Sequence, residues 1–137
     1  MVDFTLSPEI REKRAQVSVF MAEHIYPNEE ALGAENDDAD KLLKEIQQKV
    51  KQQGMWAMFI GPEAGGTGTG FLPYAYVNEI LGRSPFAPTA FGCQAPDTGN
   101  AEIIAHYGTK EQKDRYLWPL LNIENALVIS LLSSGQR

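Results

Sequence analysis

Between Gly61 and Gly70, five of ten residues are glycine and a sixth is Pro62. No regular element runs through such a stretch, because glycine carries a large entropy cost and proline lacks a backbone donor. It is a turn-rich loop, and the apolar residues of the long segments on both sides of it recur at helical spacing. Ser7-Pro8-Glu9 opens the first helix with a hydroxyl cap, a proline at the first helical position and an acid at the positive end of the dipole. Ile10, Val17, Phe20, Met21, His24 and Ile25 form its inner stripe, and Pro27 ends it. Residues 28–38 read as a connection with room for one helical turn. Asp37 or Asp38 then caps a helix that runs to about Gln53, buries Leu42, Leu43, Ile46 and Val50, and closes on a left-handed Gly54. Met55 to Ile60 is too short for a helix and too apolar for a surface loop, so it reads as an extended segment packed against helices.

Beyond the loop, Phe71 to Leu81 is helical and is stopped by Gly82, Pro85 and Pro88. Thr98 to Tyr107 is a further helix, with Ile103, Ile104 and Tyr107 facing in. Thr109-Lys110-Glu111-Gln112 is a capping box that opens a last helix through Tyr116, Leu117, Leu120 and Leu121, with Pro119 an irregularity inside it. Residues 126–132 are β-branched and apolar and read as one strand or the start of one. The expected fold is all-α, a bundle of five or six helices. One domain spans residues 1–125, and a divergent tail covers 126–137.

Composition narrows the function. A chain of 137 residues with 43% hydrophobic and 22% charged residues is long enough for a single packed core. Lys plus Arg is 12 against 18 Asp plus Glu, a net charge of −6, which argues against a nucleic-acid or anionic-membrane binder. Cys93 is the single cysteine, so no intrachain disulfide and no cysteine-built zinc cage is available, and no metal site is expected. No apolar run reaches the roughly 18 residues of a membrane span. The first residues lack the basic and apolar blocks of a signal peptide, and a cytoplasmic protein is expected, or a mitochondrial or peroxisomal one in a eukaryote.

Candidate chemistry is sparse. The glycine-rich loop suggests a phosphate cradle, yet no lysine follows its last glycine, and Phe71 stands where a dinucleotide fingerprint needs its third glycine. His24 and His106 read as helix residues rather than bases, Cys93 as a small buried hydrophobe, Trp56 and Trp118 as core. The acids from Glu35 to Asp40 read as a solvated face. The residues alone describe a helical domain with no self-contained active site.

Three passages carry a resemblance. Gly54-Met55-Trp56-Ala57-Met58-Phe59-Ile60 leads into Pro62-Glu63-Ala64-Gly65-Gly66-Thr67-Gly68. Glu79-Ile80-Leu81-Gly82-Arg83-Ser84 ends a helix. Ala95-Pro96-Asp97-Thr98-Gly99-Asn100 precedes Tyr107-Gly108-Thr109-Lys110-Glu111-Gln112-Lys113 and then Pro119-Leu120-Leu121. Together they resemble the amino-terminal helical domain of the flavin-dependent acyl-CoA dehydrogenases, the long-chain branch in particular, over about residues 5–122.

That resemblance implies a fatty acyl-CoA substrate, an FAD cofactor, and α,β-dehydrogenation carried out by a longer protein. Flavin and the carboxylate base belong to a β-domain and a second helical domain that follow in the family, so no catalytic residue is assigned here. Ala95, Pro96, Asp97 and Gly99 are implied to line the acyl tail. Leu131, Leu132, Ser133 and Ser134 correspond to the family's flavin-contacting M/L-T-E-P motif, the first three as the implied cofactor contacts, and only Leu131 of the four suits it. The expectation is an amino-terminal domain or truncated form that is inactive and flavin-free alone. The alternative is a non-catalytic interaction module that uses the exposed domain interface to meet itself or a protein partner.

Overall fold

The computed structural model describes residues 5–95 and 97–122, and these are all-α, with no strand among them. The expected strand in the tail lies outside the described residues. Helix α1, Pro8–Phe20, starts as its sequence dictates: the Ser7 hydroxyl accepts the Ile10 N–H at 3.3 Å. Val17, Phe20, Met21 and Ile25 are buried along one stripe. Pro27 does not stop the chain's helical course. The hydrogen bonding instead widens to a π turn over Met21–Ile25 and tightens to a 3₁₀ turn over Tyr26–Asn28. A single helical turn, α2 (Glu29–Leu32), follows. A proline ring strikes the carbonyl four residues back in a regular α-helix, and widening the preceding turn relieves that clash. The Asn28 amide donates to the His24 carbonyl at 2.9 Å. The same device recurs downstream, where a π turn over Lys113–Leu117 precedes Pro119.

Helix α3, Asp37–Gln52, is capped by Asn36 rather than by Asp37 or Asp38. The Asn36 side-chain oxygen accepts the N–H groups of Asp38 and Ala39, which leaves the three aspartates of the first turn to complement the helix dipole. The helix closes on Gly54 with φ 66°. The Gly54 N–H bonds to Lys51 and the Met55 N–H to Val50, which is a Schellman ending.

Met55 to Ile60 departs from the extended reading. It is a run of turns, with Ala57 at φ 50°, and it is the centre of the core: Met55, Trp56, Ala57, Met58 and Ile60 are all buried. Short apolar runs do not distinguish a strand from packed turns. Here the backbone finds partners outside any ladder, the Ala57 N–H bonding to the Phe91 carbonyl at 3.0 Å and the Ile60 carbonyl accepting from Gly68 at 2.8 Å. Around this segment pack α1, α3, α4 (Phe71–Leu81), the single turn α5 (Ala87–Ala90) and Phe91.

Helix α6, Asp97–Tyr107, overturns one expected face. Ile103 is 61% exposed and Tyr107 is 85% exposed. Ala101 is buried, and Ile104 and Ala105 pack against the core. Positions 101, 104 and 105 share one side of a helix, and 103 and 107 lie on the other. Small alanines let the helix approach the core closely, so the large residues at 103 and 107 point outward. The Thr109 capping box forms as read, opening α7 (Lys110–Gln112). After the π turn, α8 (Trp118–Leu121) buries Leu121.

Candidate functional site

Three of the four acyl-lining candidates are described. Ala95 is exposed just before α6, Asp97 is half-buried in its first turn, and Gly99 is exposed two residues later in the same turn. Pro96 lies outside the described residues, as do Leu131, Leu132 and Ser133. The Asp97 carboxylate accepts from the Gln94 amide at 3.0 Å, and Gln94 in turn accepts from the Thr89 hydroxyl, which ties the start of α6 to α5. A Cβ added at Gly99 meets nothing within 4 Å. The beginning of α6 is therefore an open surface of small side chains with one anchored carboxylate.

The glycine-rich loop gives a flavin diphosphate no cradle. The N–H groups of Ala64 and Gly66 bond to the Gly61 carbonyl, that of Gly65 to Pro62, and that of Gly68 to Ile60. Gly68 is pressed so tightly onto the buried segment that a Cβ would fall 2.3 Å from the Met58 carbonyl oxygen. Gly66 and Gly68 serve close backbone packing, in a loop whose role is the one read from its sequence, a turn between helices.

Two further titratable groups, Cys93 and Tyr74, are shifted by burial. Burial pushes the Cys93 thiol up to about 11, and its sulfur lies 3.4 Å from the Phe91 carbonyl, which it can donate to, so it is protonated at neutral pH. Burial, and then the neighbouring Cys93 and Glu102, hold the Tyr74 hydroxyl well above the ordinary phenol range. That grouping of Tyr74 from α4, Cys93 from the loop after α5 and Glu102 from α6 has no signature in sequence, because only tertiary packing brings the three together. His24 packs edge-on against Phe20 at 4.7 Å between ring centres, and His106 is exposed beside Tyr107. No group of three metal-ligating side chains occurs among the described residues, and no described helix is long and apolar enough to cross a membrane.

Residues 7–124 match the family model described as acyl-CoA dehydrogenase, N-terminal domain. Acyl-CoA dehydrogenase family member 10 of Mus musculus is 38% identical over 126 residues, covering 85% of this chain and 12% of that protein. Acyl-CoA dehydrogenase family member 11 of Homo sapiens is 35% identical over 120 residues, covering 81% of this chain and 15% of that protein. A solved structure from Mycobacterium abscessus, assigned to the acyl-CoA dehydrogenases, is 36% identical and superposes with a TM-score of 0.74. That match covers 86% of this chain and 32% of the other. The chain thus spans between 12% and 32% of the length of these relatives.

Proposed function

Because the chain belongs to the acyl-CoA dehydrogenase family and corresponds to its N-terminal helical domain, we propose that it forms one wall of a fatty acyl-CoA site. In this reading Ala95, Pro96, Asp97 and Gly99 border the acyl tail at the start of α6. Small residues leave room for a hydrocarbon chain, and glycine admits close approach to the backbone. The observation that carries the reading is the open surface at Ala95 and Gly99, backed by the Asp97–Gln94 anchor.

The dehydrogenation itself needs an electron acceptor and a positioned carboxylate base on opposite sides of the acyl α–β bond, and correct placement supplies much of the rate. Flavin supplies the hydride acceptor in the family. We assign neither the base nor the flavin-holding surface to the described residues, and Leu131, Leu132 and Ser133 match the flavin-contacting motif poorly. The 137-residue chain by itself is therefore expected to hold no FAD and to leave acyl-CoA unoxidised. The exposed Ile103 and Tyr107 on α6 favour a second reading, in which this face meets another protein surface or a second copy.

The test is to purify the chain, incubate it with FAD and a long-chain acyl-CoA, and follow reduction of an electron-accepting dye. A colourless protein with no turnover is the expected result. Stoichiometric flavin retained through gel filtration, or turnover above the protein-free control, overturns it.

A further inference from the structure

The outer face of α6 carries three residues in one row at four-residue spacing, Gly99, Ile103 and Tyr107. All three are exposed, Ile103 at 61% and Tyr107 at 85%, and a Cβ built at Gly99 meets nothing within 4 Å. The row runs hole, ridge, knob. Ile103 stands midway, about 6 Å along the helix axis from each end. The knob is held by fixed backbone, because the Gly108 N–H bonds to the Ile104 carbonyl at 2.8 Å and the Thr109 capping box follows at once. Little backbone freedom is left to lose there on association.

Equal spacing about Ile103 makes the row complementary to itself. Two copies of α6, antiparallel about a two-fold axis at Ile103, place each Tyr107 opposite the partner's Gly99, and the two Ile103 side chains meet at the axis. A crossing angle of about −50° lays the four-residue rows of two helices along each other, and it is the commonest class of helix packing. Charge points the same way. Glu102 is the only formally charged residue between Gly99 and Tyr107, and it sits about 100° round the helix from Ile103. A chain of net charge −6 thus presents an uncharged row here, which an identical row meets without repulsion and a charged partner cannot pair with.

We propose that α6 is a homotypic pairing surface, on which a second copy of this chain docks antiparallel with each Tyr107 ring seated over the partner's Gly99. This pairing rests on the second reading above, that the outer face of α6 meets a protein surface, and adds to it the partner and the register. Gly99 also borders the proposed acyl wall, so a paired copy cannot hold an acyl tail at that residue.

The test is sedimentation of the 137-residue protein over a wide concentration range, with circular dichroism confirming that each variant is folded. A monomer–dimer equilibrium is expected, with a dissociation constant on the order of 100 μM, because two helical turns a side fall well below the roughly 1,200 Å² of a stable interface. Gly99→Tyr fills the hole where the monomer has room for a ring, and should weaken pairing at least about tenfold. Adding Tyr107→Gly exchanges hole and knob, and should return the dissociation constant to within about threefold of the parent's. Gly99→Leu, which introduces a strong helix former, repeats the block should the aromatic variant fold poorly. A merely sticky surface behaves in the opposite way and gains strength from the added ring. Unchanged or stronger association in Gly99→Tyr or Gly99→Leu overturns the pairing, and so does a folded exchange variant that stays monomeric. Association lost in Ile103→Gln but kept in Gly99→Tyr leaves α6 as the contact face and overturns this register alone. A parent that is monomeric at every concentration overturns both the register and the reading beneath it.

Discussion

Gly92 and Gly99 are seven positions apart and respond to the same substitution in opposite senses. Gly92 sits at φ 64°, and a Cβ there would fall 2.6 Å from the Trp56 indole. The backbone beside it cannot drift, because the Phe91 carbonyl is held by the Ala57 N–H. Gly92→Ala is expected to cost about 1–3 kcal/mol through left-handed strain and the clash. Gly99 lies inside α6 with open space around it. Gly99→Ala is expected to stabilise the chain by about 0.5–1 kcal/mol, because alanine gives up less entropy in a helix. Urea unfolding of the two variants checks both signs, and a loss at Gly99 would mean that α6 is not a free helix face. The sequence places Gly99 inside a helical pattern, but it gives no sign of the demand on Gly92. Gly54 is readable because it ends a helical pattern, whereas the demand on Gly92 comes from a tryptophan far upstream.

Between elements, the most informative contact joins α1 to α4. The Arg14 guanidinium donates to the Tyr76 carbonyl and, at 3.0 Å, to the Glu79 carboxylate, which Arg83 also approaches at 3.4 Å. Arg14 first, and Arg83 to a smaller degree, hold the Glu79 carboxyl below its ordinary value of 4.5. A carboxyl lowered in the folded state adds stability above its unfolded value and loses it as pH falls through the folded one. The stability difference between the parent and Glu79→Gln should therefore be present near neutral pH and should shrink towards zero below 4.5. Thermal melts of both proteins across that range check it. A difference independent of pH would assign the effect to packing. Elements were legible wherever a cap wrote their ends, as at Ser7 and Thr109. They were misread where size stood in for direction, as at Ile103 and Tyr107, or where a cap lay one residue upstream, as at Asn36. The acyl-wall candidates came from resemblance alone. The grouping of Tyr74, Cys93 and Glu102, in contrast, joins three elements that no local pattern connects.

For the whole molecule, an acidic surface is set against an exposed apolar stripe. The chain carries −6, and Ile103 and Tyr107 stand out from α6 one turn apart. Self-association through that stripe should strengthen with added salt, which screens like charges while leaving apolar contact intact. Sedimentation at several salt concentrations tests this, with Ile103→Gln and Tyr107→Gln expected to give a monomer without altering net charge. Equal association of parent and double variant would place the contact elsewhere. The buried turns from Met55 to Ile60 carry a different consequence, one for the order of assembly. Helices in a simple bundle can zip neighbour to neighbour, but these must close around a coil whose partners, Phe91 and Gly68, arrive from later in the chain. Distant loop closure then precedes any full gain from burial, so the domain should refold more slowly than its helical content suggests.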